Sequence, residues 1–465
     1  MSSNARFLAK QTVAIHQFGS ANYTTPEELI PHLRAFGQEF GWATATNAFG
    51  SIIPSGSRVL VKPNLVLHEN NGPWSYDAVI THPSLIQAVV SELLHTNAGA
   101  VSVGDSPIQS CDFQHLMRRT KLDVWSANLM TRDPRFTGVH DFRRTIATVK
   151  GGIRQAKEDM VDRNRYSLFD LGSDSLLEPI TTSDPRFRIT GYDPKFLAQT
   201  HQPGRHQYLI AKDVLEADVV ISLPKLKMHK KAGVTNALKN FVGINGNKEY
   251  LPHHRIGGSS DAGDCYPGKN RIKELLETLY DYQNGSLTGG RSRIVAPVLR
   301  PLSKYLSLAG DETGIEGAWS GNDTVWRMSL DLNRILMYGR PDGSMADTPQ
   351  RTVLHVCDAI VAGQGNGPLA PEPFDLGMIL AGENAAAIDH VGARLLGMNP
   401  GEIPIIRGAF DKFRWPLAGF TPQEVSIRNQ GDTFPIEAFL NGRTLPKAKH
   451  VPPGWSDVVQ RSGRN

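Results

Sequence analysis

The sequence predicts an α/β fold: a mainly parallel sheet with flanking helices, and insertions forming a second lobe or lid. Three observations predict it. Arg58 to Val66 (RVLVKPNLV) is a β-branched run after a Pro/Gly/Ser turn and reads as a buried strand. His82-Pro83-Ser84 then opens LIQAVVSELLHTNA, whose apolar residues recur at helical spacing. Ala100 to Gly104 (AVSVG) is a second short strand, ending in Asp105-Ser106-Pro107. Strand, helix, strand at this spacing is a βαβ unit, and its strands pair in parallel.

The remaining elements extend the same sheet. Ala217 to Leu223 (ADVVISL), Thr352 to Val356 and Leu376 to Leu380 read as further buried strands. Ala385 to Leu396 reads as a helix closed by Gly397. Between these parts, residues from about 130 to 205 are polar and turn-rich, an insertion carrying short strands. The expected organisation is an N-terminal extension over 1–57 and a first part of the core over 58–244. A lid or second lobe over 245–345 follows, then a second part of the core over 346–410 and a C-terminal extension over 411–465. Ligands in such sheets collect outside the carboxyl ends of the strands. Three polar segments sit at such ends: Lys62-Pro63-Asn64, Gly104-Asp105-Ser106 and Lys225 onward.

Composition narrows the function classes. Lys+Arg is 50 and Asp+Glu is 46, a formal charge of +4, too balanced to argue for a nucleic-acid binder. Cys111, Cys265 and Cys357 are far apart, so they argue against a cysteine-ligated iron–sulfur cluster within this chain and against a disulfide scaffold. The N-terminus lacks the apolar stretch of a signal peptide, and no run of apolar residues reaches the length of a spanning helix. The cytoplasm is the expected compartment. There is no P-loop, no GxSxG elbow and no zinc-deaminase signature.

Four segments carry candidate chemistry. Five lysines and one histidine fall between Lys225 and Asn240, directly after a buried strand. This reads as a basic loop, with Gly233 loosening the backbone and Thr235 capping a helix through Ala237 and Leu238. A helix N-terminus beside lysines makes an anion pocket. His229 adds a group titrating near neutrality, a base or metal ligand. Its neighbours Lys227, Lys230 and Lys231 should lower its pKa. The plain alternative is a solvated basic loop. The second segment, GINGNKEYLPHHRIGG (243–258), places His253 beside His254, with Asp261 and Asp264 following. His229, His253, His254 and Asp264 are candidate ligands for a divalent metal, although adjacent histidines diverge and the spacing matches no standard ligand pattern. In the third, GNDTVWRMSLDLNR (321–334), Asp323, Arg327 and Asp331 stand four apart on one helical face, which plain helix support also explains. The fourth, DAIVAGQGNGP (358–368), is a strand end followed by glycines that let backbone approach a ligand or form a turn. Asp389-His390, on the late helix, reads as a buried or surface pair rather than as catalytic.

Together, VLVKPNLV (59–66), the strand ending GDSP (104–107), SLPKLKMHKKAGVTNALKN (222–240), and DAIVAGQGNGP with AGENAAAIDHVGARLLG (381–397) resemble the family called domain of unknown function 362. The resemblance spans most of residues 58–400. Some members of that family carry a ferredoxin-like cysteine cluster, which this chain lacks. More distantly, a strand leading into a Lys/His/Gly loop is similar to the nickel-pincer lactate racemases. That comparison transfers no residue.

The functional expectation is an enzyme acting on a small anionic metabolite: a hydroxy or sugar acid, or a phosphorylated or nucleotide-linked compound. Isomerase-type proton transfer fits the groups available. His229 and Lys227 are the candidate catalytic residues. Lys62, Asn64, Asp105, Ser106, Lys225, Thr235, Lys239, Asn240, Asp358 and Gly367 are the candidate substrate contacts. The alternative is a non-catalytic protein that binds an anionic ligand or a nucleic acid. Steep salt dependence would mark the nucleic-acid case.

Overall fold

The computed structural model describes residues 7–18, 22–150, 153–158, 163–285, 290–311, 313–441 and 446–458. Its centre is an eleven-stranded mixed sheet. In chain order the strands are β1 (Thr12–Gln17), β2 (Arg58–Pro63), β3 (Ala100–Asp105), β4 (Phe136–Asp141), β5 (Val219–Leu223), β6 (Lys225–His229), β7 (Gly233–Thr235), β8 (Thr352–Gln364), β9 (Glu372–Gly382), β10 (Ser426–Asn429) and β11 (Asp432–Pro435). Across the sheet the order is β11-β10-β1-β9-β8-β5-β2-β3-β4, with β6 on β8 and β7 on β6. The block β8-β5-β2-β3-β4 is wholly parallel. β9 runs against β8 and β1, which makes the sheet mixed.

Alternation along the buried strands builds a core on each face. Val59, Val61, Val219 and Ile221 join one core, with helices Pro26–Phe40 and Pro83–Leu94 over it. Leu60 and Val220 point to the other, covered by helices Val325–Tyr338 and Ala385–Leu395. His82 opens its helix by accepting from the Ser84 N–H, and Asn384 caps the late one through Ala386 and Ala387. No helix among the described residues is long and apolar enough to cross a membrane.

The structure departs from the sequence reading in four places. The 1–57 segment contributes β1 to the sheet interior, and the 411–465 segment contributes β10 and β11. These strands are only four to six residues long, so little local signal marks them. Within 130–205, Phe136–Asp141 is the edge strand of the main sheet. The lid interval 245–345 contains Val325–Tyr338, a core helix in which every residue except Arg327 is buried. Last, the strand from Thr352 does not stop at Asp358 but runs to Gln364.

A paired charge explains that last case. Asp358 is fully buried, and its carboxylate meets the Lys225 Nζ at 3.1 Å, the Tyr23 hydroxyl at 2.7 Å and the His82 N–H at 2.9 Å. Lys225 also reaches the Tyr23 oxygen, and the Tyr23 ring stacks on His82 at 3.7 Å. A charge so satisfied can continue a buried strand. Removing one partner leaves the other charge unpaired in the core, whereas replacing both by apolar groups can be nearly neutral. Asp358→Ala should therefore destabilise by about 3–5 kcal/mol. Lys225→Met with Asp358→Leu should recover most of that loss. Urea unfolding of the two variants checks this, and equal losses would contradict it.

Candidate functional site

At the carboxyl ends of β2, β3 and β6 lies a cavity of about 430 Å³. Asn64 follows β2, Asp105 ends β3, and Lys227 and His229 lie on β6. The insertions supply the opposite wall, including Tyr192, Lys248, His253 and Glu316. A second chamber of about 460 Å³ lies outside it. Ile189, Thr190, Lys230 and Glu316 line both and form the partition. Within that partition Lys230 pairs with Glu316 at 3.1 Å, and Lys231 donates to Thr190 Oγ1 at 3.0 Å.

The basic run is not a solvated loop. Lys225–His229 is a fully buried strand paired in parallel with β8 and turned back through Gly233 into β7. Gly233 has φ +81°, and a Cβ there would stand 2.7 Å from the Trp455 ring. Trp455 donates its indole N–H to Lys230 O at 2.7 Å, which ties the C-terminal segment to this turn. Ala237–Asn240 is a single turn preceded by Asn236, so Thr235 caps nothing. The Leu238 N–H is taken by the buried Asp389 carboxylate at 3.3 Å. The expected anion site at a helix N-terminus is therefore already filled by a side chain of the protein.

The floor of the cavity is a buried ion pair. Lys62 Nζ meets Asp105 Oδ1 at 2.7 Å and also donates to Pro63 O and to Asn240 Oδ1. Asp105 accepts further from the N–H groups of Leu65 and Ser106. Asn240 donates to Lys62 O and to Ser222 Oγ. Lys62 thus stands behind the wall rather than on it. Lys227 donates to Val79 O, to Pro368 O at 3.1 Å and to Asn64 Oδ1 at 3.4 Å. Ser106 and Thr235 line the cavity, while their hydroxyl oxygens are buried behind its surface without a hydrogen-bond partner among the described residues.

Several expected residues lie elsewhere. Lys225 and Asp358 satisfy one another inside the sheet. Gly367 packs its Cα against the Met228 carbonyl, where a Cβ would come within 1.9 Å. His254 faces the outer chamber, as adjacent histidines diverge. Asp264 accepts from the Thr324 hydroxyl at 2.6 Å and from the Asp323 N–H at 3.0 Å, where it organises the start of Val325–Tyr338. Asp323 pairs with Arg327, whereas Asp331 pairs with Arg334. The four candidate metal ligands are therefore not gathered, and no group of three or more His, Cys, Asp or Glu suited to a metal occurs among the described residues.

The two cavity histidines hold opposite tautomers. His229 Nδ1 faces the backbone N–H groups of Lys231 at 3.0 Å and Ala232 at 3.1 Å. Both can only donate, so Nδ1 carries a lone pair and the neutral ring keeps its proton on Nε2. His253 Nδ1 lies 2.7 Å from Leu251 O, an acceptor, so Nδ1 holds the proton and Nε2 the lone pair. Burial pushes both rings well below their ordinary pKa, and Lys239 and Lys231 add to the effect. The depression expected for His229 is present, but burial leads it, and Lys239 contributes more than Lys227. As a neutral donor, His229 fits neither a base nor a metal ligand. His253 has the free lone pair that a base needs.

Burial lowers Lys239 to about 7, with Lys231 adding to it. Burial also lowers Lys248 to about 7, against the pull of Asp105. Lys248 escaped the sequence reading, and only its place between two Gly/Asn turns and the histidines could have pointed to it. Unfolded lysine titrates near 10.4, so between about 7 and about 10 the unfolded chain binds more protons than the folded one. Stability should therefore rise with pH across that window. Below about 6.5 the two neutral histidines make stability fall as pH drops. Urea midpoints should climb from about pH 5.5 through 7 to 9. A maximum near pH 6 would contradict this placement of the lysines and histidines.

A thylakoid-associated protein of Synechocystis sp. (strain ATCC 27184 / PCC 6803 / Kazusa) is 21% identical over 360 residues, covering 76% of this chain and 68% of that protein. A crystal structure of a Thermotoga maritima protein aligns over 81% of this chain with 9% identity and a TM-score of 0.34. The chain spans 60% of that protein's length. The family described as "Domain of unknown function (DUF362)" matches residues 59–152 and 181–394, and the chain belongs to it.

Proposed function

We propose that the protein is an enzyme that binds a small anionic metabolite in the inner cavity and moves a proton on it. A hydroxy acid, a sugar acid or a phosphorylated compound of similar size suits the volume. One observation carries the reading: two neutral imidazoles of opposite tautomer line one cavity that five lysines also line. In this reading His253 Nε2 is the base that removes a proton. His229 Nε2–H donates to the oxygen on which negative charge develops, as an electrophile needs. Lys248 supplies charge for the anion. A ligand anion would also favour its protonated form and offset the cost of burying it.

Burial argues against a nucleic-acid partner. Lys225, Lys227, Lys231 and Lys239 are each at least nine-tenths buried, out of reach of a polymer backbone. Only Lys230, with about a third of its side chain exposed, approaches the surface, and it is paired with Glu316.

The test uses 2-hydroxy acids and sugar acids incubated with the protein in D2O and followed by proton NMR. The expected result is loss of the signal from the proton next to the carboxylate of one substrate. His253→Gln should slow that exchange by about 10²–10⁴, the usual contribution of a positioned base. His229→Gln keeps a donor and should lose less. Equal exchange in wild type and His253→Gln would remove His253 from the role. A thermal shift with anions but no exchange for any substrate would turn the reading to plain binding.

A further inference from the structure

We infer that Lys239 is a nucleophilic amine that captures a carbonyl-bearing acid, a 2-oxo acid, as an imine in the inner cavity. The inference rests on reading the cavity as an anion site and names the ligand class.

The partners of the buried lysines single out Lys239. Lys62 is neutralised by Asp105 and Lys225 by Asp358. Lys227 donates to three oxygens, Lys231 to Thr190, and Lys248 to Val242 O at 3.3 Å. Lys239 lines the cavity at 8% exposure, yet its Nζ has no hydrogen-bond or ion-pair partner among the described residues. An unpaired ammonium in such a place sheds its proton rather than pay for desolvation. Its ordinary value falls to about 7, so a large fraction is free amine at neutral pH. Lysines activated this way, by burial beside another cation, attack carbonyl carbons.

The surroundings supply the remaining groups. Lys239, His229 and His253 all line this one cavity. His229 Nε2–H is a donor for the carbonyl oxygen, and His253 Nε2 is a proton acceptor. The Lys248 ammonium, on the same wall, remains for the carboxylate.

The step balances within these groups. The Nζ lone pair bonds to the carbonyl carbon, and the C=O π pair moves to oxygen. One Nζ proton passes through His253 to that oxygen and gives a carbinolamine. The second follows the same route, the C–O bond breaks, water leaves, and the nitrogen pair closes the C=N bond. No oxidant or reductant is consumed, and hydrolysis reverses the sequence.

The full chain incubated with glyoxylate and sodium cyanoborohydride tests this by intact mass and peptide mapping. The expected result is one reduced adduct per chain, on the peptide holding Lys239. Its formation rate should rise with pH to a midpoint near about 7. Lys239→Met and Lys239→Arg should lose the adduct, with circular dichroism confirming that each is folded. If either variant fails to fold, the wild-type map and pH profile decide alone. Adducts spread over exposed lysines, or a midpoint near that of ordinary lysine, would overturn the inference. Malonate separates it from the broader reading. A malonate thermal shift without an adduct sinks the imine and leaves the anion site, whereas no shift and no adduct sinks both.

Discussion

The architecture of the site depends on the buried pair of Lys62 and Asp105. It joins the ends of two adjacent parallel strands, and through Asn240 it reaches a third strand at Ser222. Burying both charges is costly, so the pair persists only because nearly every remaining donor and acceptor is used. Lys62 fills Pro63 O and Asn240, and Asp105 fills the N–H groups of Leu65 and Ser106. The geometry leaves no room above it. A Cβ at Gly243 would stand 2.0 Å from Asp105 Oδ1, so the chain passes over the pair only as glycine. The cavity floor is therefore rigid before any ligand arrives.

Above that floor the protein gathers positive charge without matching it fully. Five lysines lie on or beside the wall, while Asp105 and Glu316 are the acids that line it. Burial raises the cost of Glu316, and Lys231 and Lys230 outweigh it, holding that carboxyl below its usual range. The surplus cationic character is relieved by proton loss from lysine and by keeping both imidazoles neutral. Such a cavity is poised between two states, one emptied of protons and one that gains them with an anion. Perturbed groups gathered in a cleft are the usual mark of a functional site.

Much of this was legible in the sequence, for identifiable reasons. Val59, Val61, Val101, Val103 and Val219 mark strands by β-branching and alternation, so the parallel block could be read directly. The convergence of Asn64, Asp105, Lys227 and His229 followed from strands that share a direction. The lysine run was read as a loop rather than a buried strand because five charges in sixteen positions argue against burial, and only tertiary partners such as Asp358, Tyr23 and Val79 make burial tolerable. The roles of the histidines were beyond sequence reasoning. Which nitrogen carries the proton depends on whether a backbone N–H or a carbonyl faces it, and that is fixed by the turns at Lys231 and Leu251. The short strands at 12–17 and 426–435 were hidden because they are only six and four residues long, and the pairing of Thr12 with Ser426 spans most of the chain.

The position of β8 has a consequence for how the molecule assembles. The block of β2, β3 and β5 is drawn from the first half of the chain, yet its inner edge is covered by residues 352–364. Lys227 needs Pro368 O to complete its shell, and the turn at Gly233 is held by Trp455. A nascent chain emerging from the ribosome therefore carries the Lys225–His229 strand for more than a hundred residues before its pairing strand exists. Contacts this distant in sequence slow folding and leave a β edge open meanwhile. The unpaired charges of Lys225 and Lys227 would then serve a temporary purpose, since a strand edge bearing lysines resists pairing with another copy. The same strand that later lends Lys227 and His229 to the cavity would keep the half-made sheet from aggregating.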